Sequence, residues 1–248
     1  MIKIHRVFAV VVTAAAAAVL PLQAGQQFAC DTIATTAGPL VITFIGHGTL
    51  MMQHGGRTIH IDPVGGMADY TGLPKADLVL VTHHHGDHFD AGTLQQIVTG
   101  RSEVCLTKTC AAEYPAGVVL ANGDKRVSGD IVIEAVPAYN LVHTRPDGKP
   151  FHPKGEGNGY VLTFGRTRVY IAGDTENIPE MKGLKDVTVA FLPMNLPYTM
   201  TPAMVADAAG AFKPKILYPY HYGKTDPREL VKLLHGIREI EIRIREMQ

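Results

Sequence analysis

The chain has no tryptophan, only three cysteines and no surplus of either charge: 23 Lys and Arg stand against 23 Asp and Glu in 248 residues. Each shortage excludes something. Three cysteines cannot staple a disulfide scaffold. A formal charge of zero, with His counted neutral, offers no cationic surface for binding by counterion release, so nucleic acid is not expected as a partner. Charged residues are also scarce, at 19% against 46% hydrophobic, which excludes disorder and allows a large core. The length suits one or two domains. What the chain has in abundance is histidine, twelve in all, and four of them fall within Thr82-His83-His84-His85-Gly86-Asp87-His88.

The first residues read as an address. Lys3 and Arg6 precede an apolar run from Val7 to Leu20, broken only by Thr13, and Pro21-Leu22-Gln23-Ala24 follows. This is the pattern of a secretory signal peptide over residues 1–24, cut after Ala24. The run is shorter than the roughly 20 apolar residues of a membrane span, so no stable membrane anchor is expected after cleavage. Cys30 has no lipobox before it. The expected mature chain, residues 25–248, carries 21 basic and 23 acidic residues, a charge of −2, and is expected to be periplasmic or secreted. Export makes disulfides possible. Cys105 and Cys110 are then either a bridge or two buried free thiols.

The rest alternates strand and helix patterns. Residues 41–45, 49–53 and 58–61 are short β-rich runs between Gly-rich turns, and Leu78-Val79-Leu80-Val81 is apolar throughout, as in a strand buried on both faces. Asp90 can cap a helix over 91–98. Strands are expected over 131–136, 159–164, 168–172, 187–192 and 216–218, with helices over 202–212 and 227–235. Glu239 to Arg245 alternates strictly and reads as a half-exposed strand. No repeat, charge run or long linker is visible, so a single α/β domain is expected.

The chemistry gathers at strand ends. His83 and His85 are two residues apart, so in extended backbone both imidazoles leave on one side. Gly86 then lets the chain turn and bring Asp87 and His88 round. Imidazole and carboxylate at this density suit zinc or another borderline divalent ion.

The run His83-x-His85-x-Asp87-His88 resembles the signature of the metallo-β-lactamase superfamily. Ala172-Gly173-Asp174-Thr175 is similar to that family's bridging-aspartate motif, and Pro219-Tyr220-His221-Tyr222-Gly223 to its last histidine motif. Ile61-Asp62-Pro63 resembles the early aspartate that supports a ligand from behind. Phe191-Leu192-Pro193-Met194 and Thr199-Met200-Thr201 resemble the compact hydrolases related to the ascorbate-6-phosphate lactonase. The likeness runs from about Leu40 to the end, and implies a four-layer αββα sandwich with a one- or two-metal site at the edge of the sheets.

Carried over residue by residue, the resemblance implies that His83 and His85 hold one metal, that Asp87, His88 and His221 hold a second, and that Asp174 bridges them. The chain departs from the family at the third histidine of the first metal. That residue usually ends a strand, and here Pro137-Ala138-Tyr139-Asn140 stands in its place. His143 and His152 follow on the next loop. His152 is preferred, because Phe151-His152-Pro153-Lys154-Gly155 resembles a motif of close relatives; otherwise neither ligates and one ion is held firmly. The implied cofactor is zinc, one or two ions, with manganese as an alternative.

Two divalent ions about 3.5–4 Å apart lower the pKa of a bridging water towards about 7, so the expected nucleophile is a metal-bound hydroxide. Asp87 or Asp174 is expected to orient it and to shuttle a proton to the leaving group. The expected substrate is a small-molecule ester, lactone or phosphoester. Hydrolysis of β-lactams and a non-catalytic metal-binding protein of the same fold are the alternatives. The sequence does not fix the oligomeric state. Among the other histidines, His47 in the turn Ile45-Gly46-His47-Gly48-Thr49 either supports the site or is merely packed. His84 is expected to point away, and His54, His60 and His235 to be surface or core residues. Asn195 and Tyr198 either line the pocket or belong to an ordinary loop.

Overall fold

The computed structural model describes residues 26–247; the signal peptide expected over residues 1–24 lies outside the described residues. Each half of the chain builds one seven-stranded sheet, in chain order. In the first, β1 (Cys30–Thr35), β2 (Gly38–Gly46), β3 (Thr49–His54) and β4 (Arg57–Ile61) form an antiparallel meander. β5 (Leu78–Leu80), β6 (Glu103–Leu106) and β7 (Val118–Val119) extend it in parallel. In the second, β8 (Lys125–Ser128), β9 (Ile131–Ala138), β10 (Gly157–Phe164) and β11 (Thr167–Ile171) form the meander. β12 (Val187–Pro193), β13 (Ile216–Tyr220) and β14 (Glu241–Ile242) are the parallel strands. The two sheets thus share a plan that the sequence, which shows no repeat, conceals.

The sheets pack face to face. Ile42, Phe44, Leu50 and Met52 from the first meet Ile133, Tyr160, Leu162, Phe191 and Tyr218 from the second in one buried core. Aromatic rings join the layers directly: Phe44 of the first sheet lies 5.1 Å from Tyr218 and 6.3 Å from Phe191 of the second, which stack on each other at 5.0 Å. Burying each such side chain is worth about 1.5–3 kcal/mol. Outside the first sheet lie α1 (Ala91–Ile97) and α2 (Lys108–Ala111), with Leu94, Ile97 and Cys110 packed on Val79, Val81 and Val104. Outside the second lie α3 (Pro202–Phe212) and α4 (Arg228–Leu233). The αββα sandwich is therefore the observed architecture. Among the described residues no helix is long and apolar enough to cross a membrane.

Local chemistry explains the helix ends. The Asp90 carboxylate accepts from Gly92 and Thr93 N–H and opens α1, and Thr201 Oγ1 accepts from Met204 N–H and opens α3. The C-terminal strand is shorter than its alternation suggests: of residues 239–245 only Glu241–Ile242 pair. Beyond them Arg243 keeps one backbone bond to β13, its amide to the Leu217 carbonyl at 2.9 Å, and the arginine side chains pair with carboxylates. Arg245 binds both oxygens of Asp31 at 2.7 Å, and Tyr222 Oη donates to the Arg245 carbonyl. Cys105 and Cys110 are buried free thiols, so the bridge is not formed.

Candidate metal centre

The site lies along the carboxyl ends of the parallel strands of both sheets. The loop after β5 brings His83, His85, Asp87 and His88; Asp174 follows β11; His221 follows β13; His152 comes from the long loop between β9 and β10. Backbone strain marks these turns. His47, Asp62 and His221 take positive φ of 51°, 46° and 46°, a conformation that costs energy outside glycine and collects at functional sites. Gly173, at φ 66°, aims Asp174 inward; a Cβ there would meet the Asn158 carbonyl at 2.7 Å.

Three overlapping groups of donors result. His83, His85 and His152 place ligand atoms within 4.8 Å of one another, as do His47, Asp87, His88 and His221, and the third group, His83, His88 and Asp174, joins the first two. Asp174 stands between them. Its Oδ2 lies 3.2 Å from His152 Nε2 and 3.4 Å from His221 Nε2, and its Oδ1 lies 3.4 Å from His88 Nε2. Both metal sets expected from the sequence are thus brought together around the expected bridging aspartate, His152 included.

Partners behind the rings fix which nitrogen faces inward. His88 Nδ1–H donates to Asp62 Oδ2 at 2.7 Å, and Asp62 is itself held by the Thr82 amide and hydroxyl, each at 2.7 Å. The Thr82 hydroxyl proton goes to Asp62, so Thr82 Oγ1 accepts from His83 Nδ1–H at 3.1 Å. His152 Nδ1–H donates to Asn140 Oδ1 at 2.7 Å. In each ring the Nε2 lone pair is left for the site. A metal-binding histidine needs such a partner to set its tautomer. His88 Nε2, His152 Nε2, His221 Nε2 and Asp174 Oδ1 are buried with no hydrogen-bond partner. An orphaned buried polar atom is costly, and four converging ones fit a bound cation.

Electrostatics agree. Burial pushes His83 well below the ordinary histidine range, helped by neighbouring His88, and pushes His85 down to about 4, helped by His152. Burial also works on Asp174 and Asp87, but in the opposite sense. The charges of His221 and His88 keep the Asp174 carboxyl far below its usual range despite burial, and contacts with His221 and His47 do the same for Asp87. His88 rises to about 9, because Asp174 and Asp62 outweigh its burial. His83 and His85 are thus neutral donors beside ionised carboxylates, whereas His88 keeps a proton that a divalent cation must displace.

The remaining expected residues sort clearly. His47 does reach the site, with Nε2 3.1 Å from Asp87 Oδ2 and its ring 3.7 Å from that of His221. His84 is exposed, as is His235, while His54 and His60 are buried. His143 turns to Glu176, its Nδ1 2.6 Å from Oε1. Tyr198 is exposed beside Phe151, and its carbonyl accepts from Asn140. Sequence reasoning gave no role to Asn140 or Glu176. The buried Glu176 carboxylate accepts from the amides of Leu141, Val142 and His143, at 2.6–2.7 Å, and from the Asn140 side chain at 3.2 Å. It anchors the loop that carries His152. The available signal was Asn140 itself, standing where the third histidine was expected.

Comparison with known proteins agrees with this geometry. Residues 41–221 match the family model described as the Beta-lactamase superfamily domain, and the chain belongs to the metallo-β-lactamase superfamily. A UPF0173 metal-dependent hydrolase of Pyrococcus abyssi is 31% identical over 218 residues, covering 78% of this chain and 91% of its own. The crystal structure of a Parabacteroides distasonis protein assigned as a metal-dependent hydrolase superposes with a TM-score of 0.85 at 49% identity, covering 90% of this chain and 100% of its own. The metallo-beta-lactamase fold protein YhfI of Bacillus subtilis shares the fold alone, with a TM-score of 0.66 at 14% identity over 84% of this chain and 96% of its own.

Proposed function

We propose that the protein is an exported metal-dependent hydrolase that cleaves a small-molecule ester, lactone or phosphoester. The observation that carries this reading is the convergence of buried, unpartnered His88, His152, His221 and Asp174 atoms on one space between the sheets. Membership of the superfamily supports it, as do relatives named as metal-dependent hydrolases. His83, His85 and His152 would hold one cation and Asp87, His88 and His221 another, with Asp174 touching both. Divalent ions bound there, zinc or manganese, supply Lewis acidity and a nucleophilic water near neutral pH.

The chain's own residues do the rest. Asp174 is buried and fixed, so it sets the spacing of the two donor groups. The side chain of Asp87 is 45% exposed and is steadied by His47. It orients the attacking water and passes its proton between site and solvent. The sandwich keeps the back of the site dry through Asp62, Thr82 and His88, all fully buried.

The test is a hydrolysis panel of lactones, phosphodiesters, phosphomonoesters, carboxylic esters and nitrocefin, run on chelated protein and on protein reloaded with Zn or Mn. Metal-restored turnover of an ester, lactone or phosphoester is expected. Silence on all of them would sink the reading, and turnover of nitrocefin alone would replace it with β-lactam hydrolysis. Export predicts Gly25 as the first residue of protein recovered outside the cytoplasm.

A further inference from the structure

Among the described residues, the Arg145 guanidinium on the outer face of the site has no carboxylate partner. His85 Nδ1 lies 3.1 Å from His83 Nε2, so Nδ1 is the atom aimed at the donor group it forms with His83 and His152. Its other nitrogen, Nε2, faces out and accepts from the Arg145 guanidinium at 3.4 Å, a bond that is lost if Nε2 takes up the proton. A neutral imidazole that gives its Nδ1 lone pair to a cation carries its proton on Nε2. In that state two N–H donors, His85 Nε2–H and the Arg145 guanidinium, face each other across 3.4 Å with no acceptor between them. An oxyanion satisfies both.

Arg145 is held in place for this. It opens a tight turn, its amide bonded to the Lys149 carbonyl at 2.7 Å and its carbonyl to the Gly148 amide at 2.9 Å. Its guanidinium donates to the Phe151 carbonyl at 3.2 Å and lies 5.6 Å from the Phe151 ring centre. A planar guanidinium fixed in this way presents its remaining donors as a fork suited to carboxylate or phosphate.

Exposed apolar side chains stand on the loops near this cation. Among the described residues, eight large hydrophobic side chains are exposed, and four of them, Leu141, Val142, Leu196 and Tyr198, lie on two adjoining loops. The loops meet where Asn140, the partner of His152, donates to the Tyr198 carbonyl at 2.9 Å. Tyr198 in turn packs against Phe151 at 5.0 Å, edge to face. Hydrocarbon concentrated beside a polar site marks a ligand surface.

We propose that the substrate is an amphiphilic organic anion. Its carboxylate or phosphate bridges Arg145 and His85 Nε2–H, and its hydrocarbon arm lies on Leu141, Val142 and Tyr198. This rests on the hydrolase reading for the identity of the site, and it adds the class of molecule the mouth selects.

Titration calorimetry of the metal-loaded protein with octanoate, octyl phosphate, acetate and octanol separates the two halves of the proposal. Octanoate or octyl phosphate is expected to bind at least about 10-fold more tightly than acetate, which lacks the arm, and than octanol, which lacks the charge. Whichever of the two anions binds more tightly identifies the headgroup. Arg145→Ala, with its metal content checked, is expected to lose that advantage of the anion over octanol, and Arg145→Lys to keep part of it. An unchanged advantage in Arg145→Ala places the anion on the metal alone and overturns the proposal. So does equal binding of octanol and octanoate by the wild type. Anion selectivity without hydrolysis of any ester would count against the hydrolase reading and not against this one. Hydrolysis without anion selectivity would do the reverse.

Discussion

Asn140 holds His152 twice with one atom: its Oδ1 accepts the main-chain N–H at 2.8 Å and the ring Nδ1–H at 2.7 Å. The backbone and the tautomer of the displaced histidine are thus fixed by a residue two positions beyond β9, in the stretch where the resemblance places the family's own ligand. Asn140 is free to do this because its amide group is spent on Glu176 Oε1 and the Tyr198 carbonyl.

Asn140→Ala therefore removes the partner that orients His152 without touching a ligand atom. Loss of such a supporting hydrogen bond costs about 10- to 100-fold in metal affinity. Chelator competition on wild type and variant measures it, with far-ultraviolet circular dichroism to confirm that the variant folds. Equal affinities would mean that His152 does not ligate.

His47→Ala acts on the other donor group, by leaving Asp87 without its 3.1 Å partner. Affinity is expected to fall by about 10- to 100-fold for one ion of two, while the ion held by His83, His85 and His152 stays. Metal analysis after dialysis against increasing chelator should show one equivalent released early. Release of both together, or of neither, would contradict the assignment.

Gly48→Ala tests how tightly the site is built. A Cβ there would stand 2.6 Å from His88 Cε1, and His88 has nowhere to move because Asp62 holds its far side. Overpacking of this kind costs about 1–3 kcal/mol. Gly66→Ala, where nothing lies within 4 Å, is the matched control. Denaturant unfolding compares them, and equal midpoints would show that His88 can give way.

His60 sets a pH dependence away from the metal centre. It is fully buried on β4, Nε2–H donating to the Pro74 carbonyl at 3.0 Å, and burial pushes its pKa from 6.5 down to about 4. The folded state holds it neutral, while the unfolded chain takes up a proton below pH 6.5. Its contribution is complete above that pH and is lost as pH falls towards 4, about 3 kcal/mol over the window. Unfolding free energies of wild type and His60→Leu, followed from pH 7 to 4.5, should show a shallower fall in the variant. Parallel curves would remove His60 as the cause.

Much of this was legible beforehand, for reasons that differ by residue. His83, His85, Asp87 and His88 could be read because extended backbone and one glycine turn dictate where neighbouring side chains go. Pro202–Phe212 was recovered to the residue because its Thr201 cap and Pro start are local signals. Lys125–Ser128 was missed because Lys-Arg-Val-Ser has no strong pattern, and its pairing with Glu134–Ile131 is set from outside the segment. Arg243 and Arg245 misled for a related reason: their alternation answers to Asp31, more than 200 residues earlier in the chain. Glu176 and Arg145 were invisible because a lone charge carries no record of the loop it will meet.

The shared plan of the two sheets bears on how the molecule comes apart. Seven strands precede residue 120 and seven follow it, and the donors divide along the same line: His83, His85, Asp87 and His88 from the first half, His152, Asp174 and His221 from the second. A cation bound among them is therefore a clasp between halves as well as a reagent. By mass action, free metal at 1,000 times its dissociation constant adds about 4 kcal/mol to holding them together. Chelation releases that clasp at one rim and leaves the hydrocarbon seam of Phe44, Phe191 and Tyr218 to hold the sandwich closed.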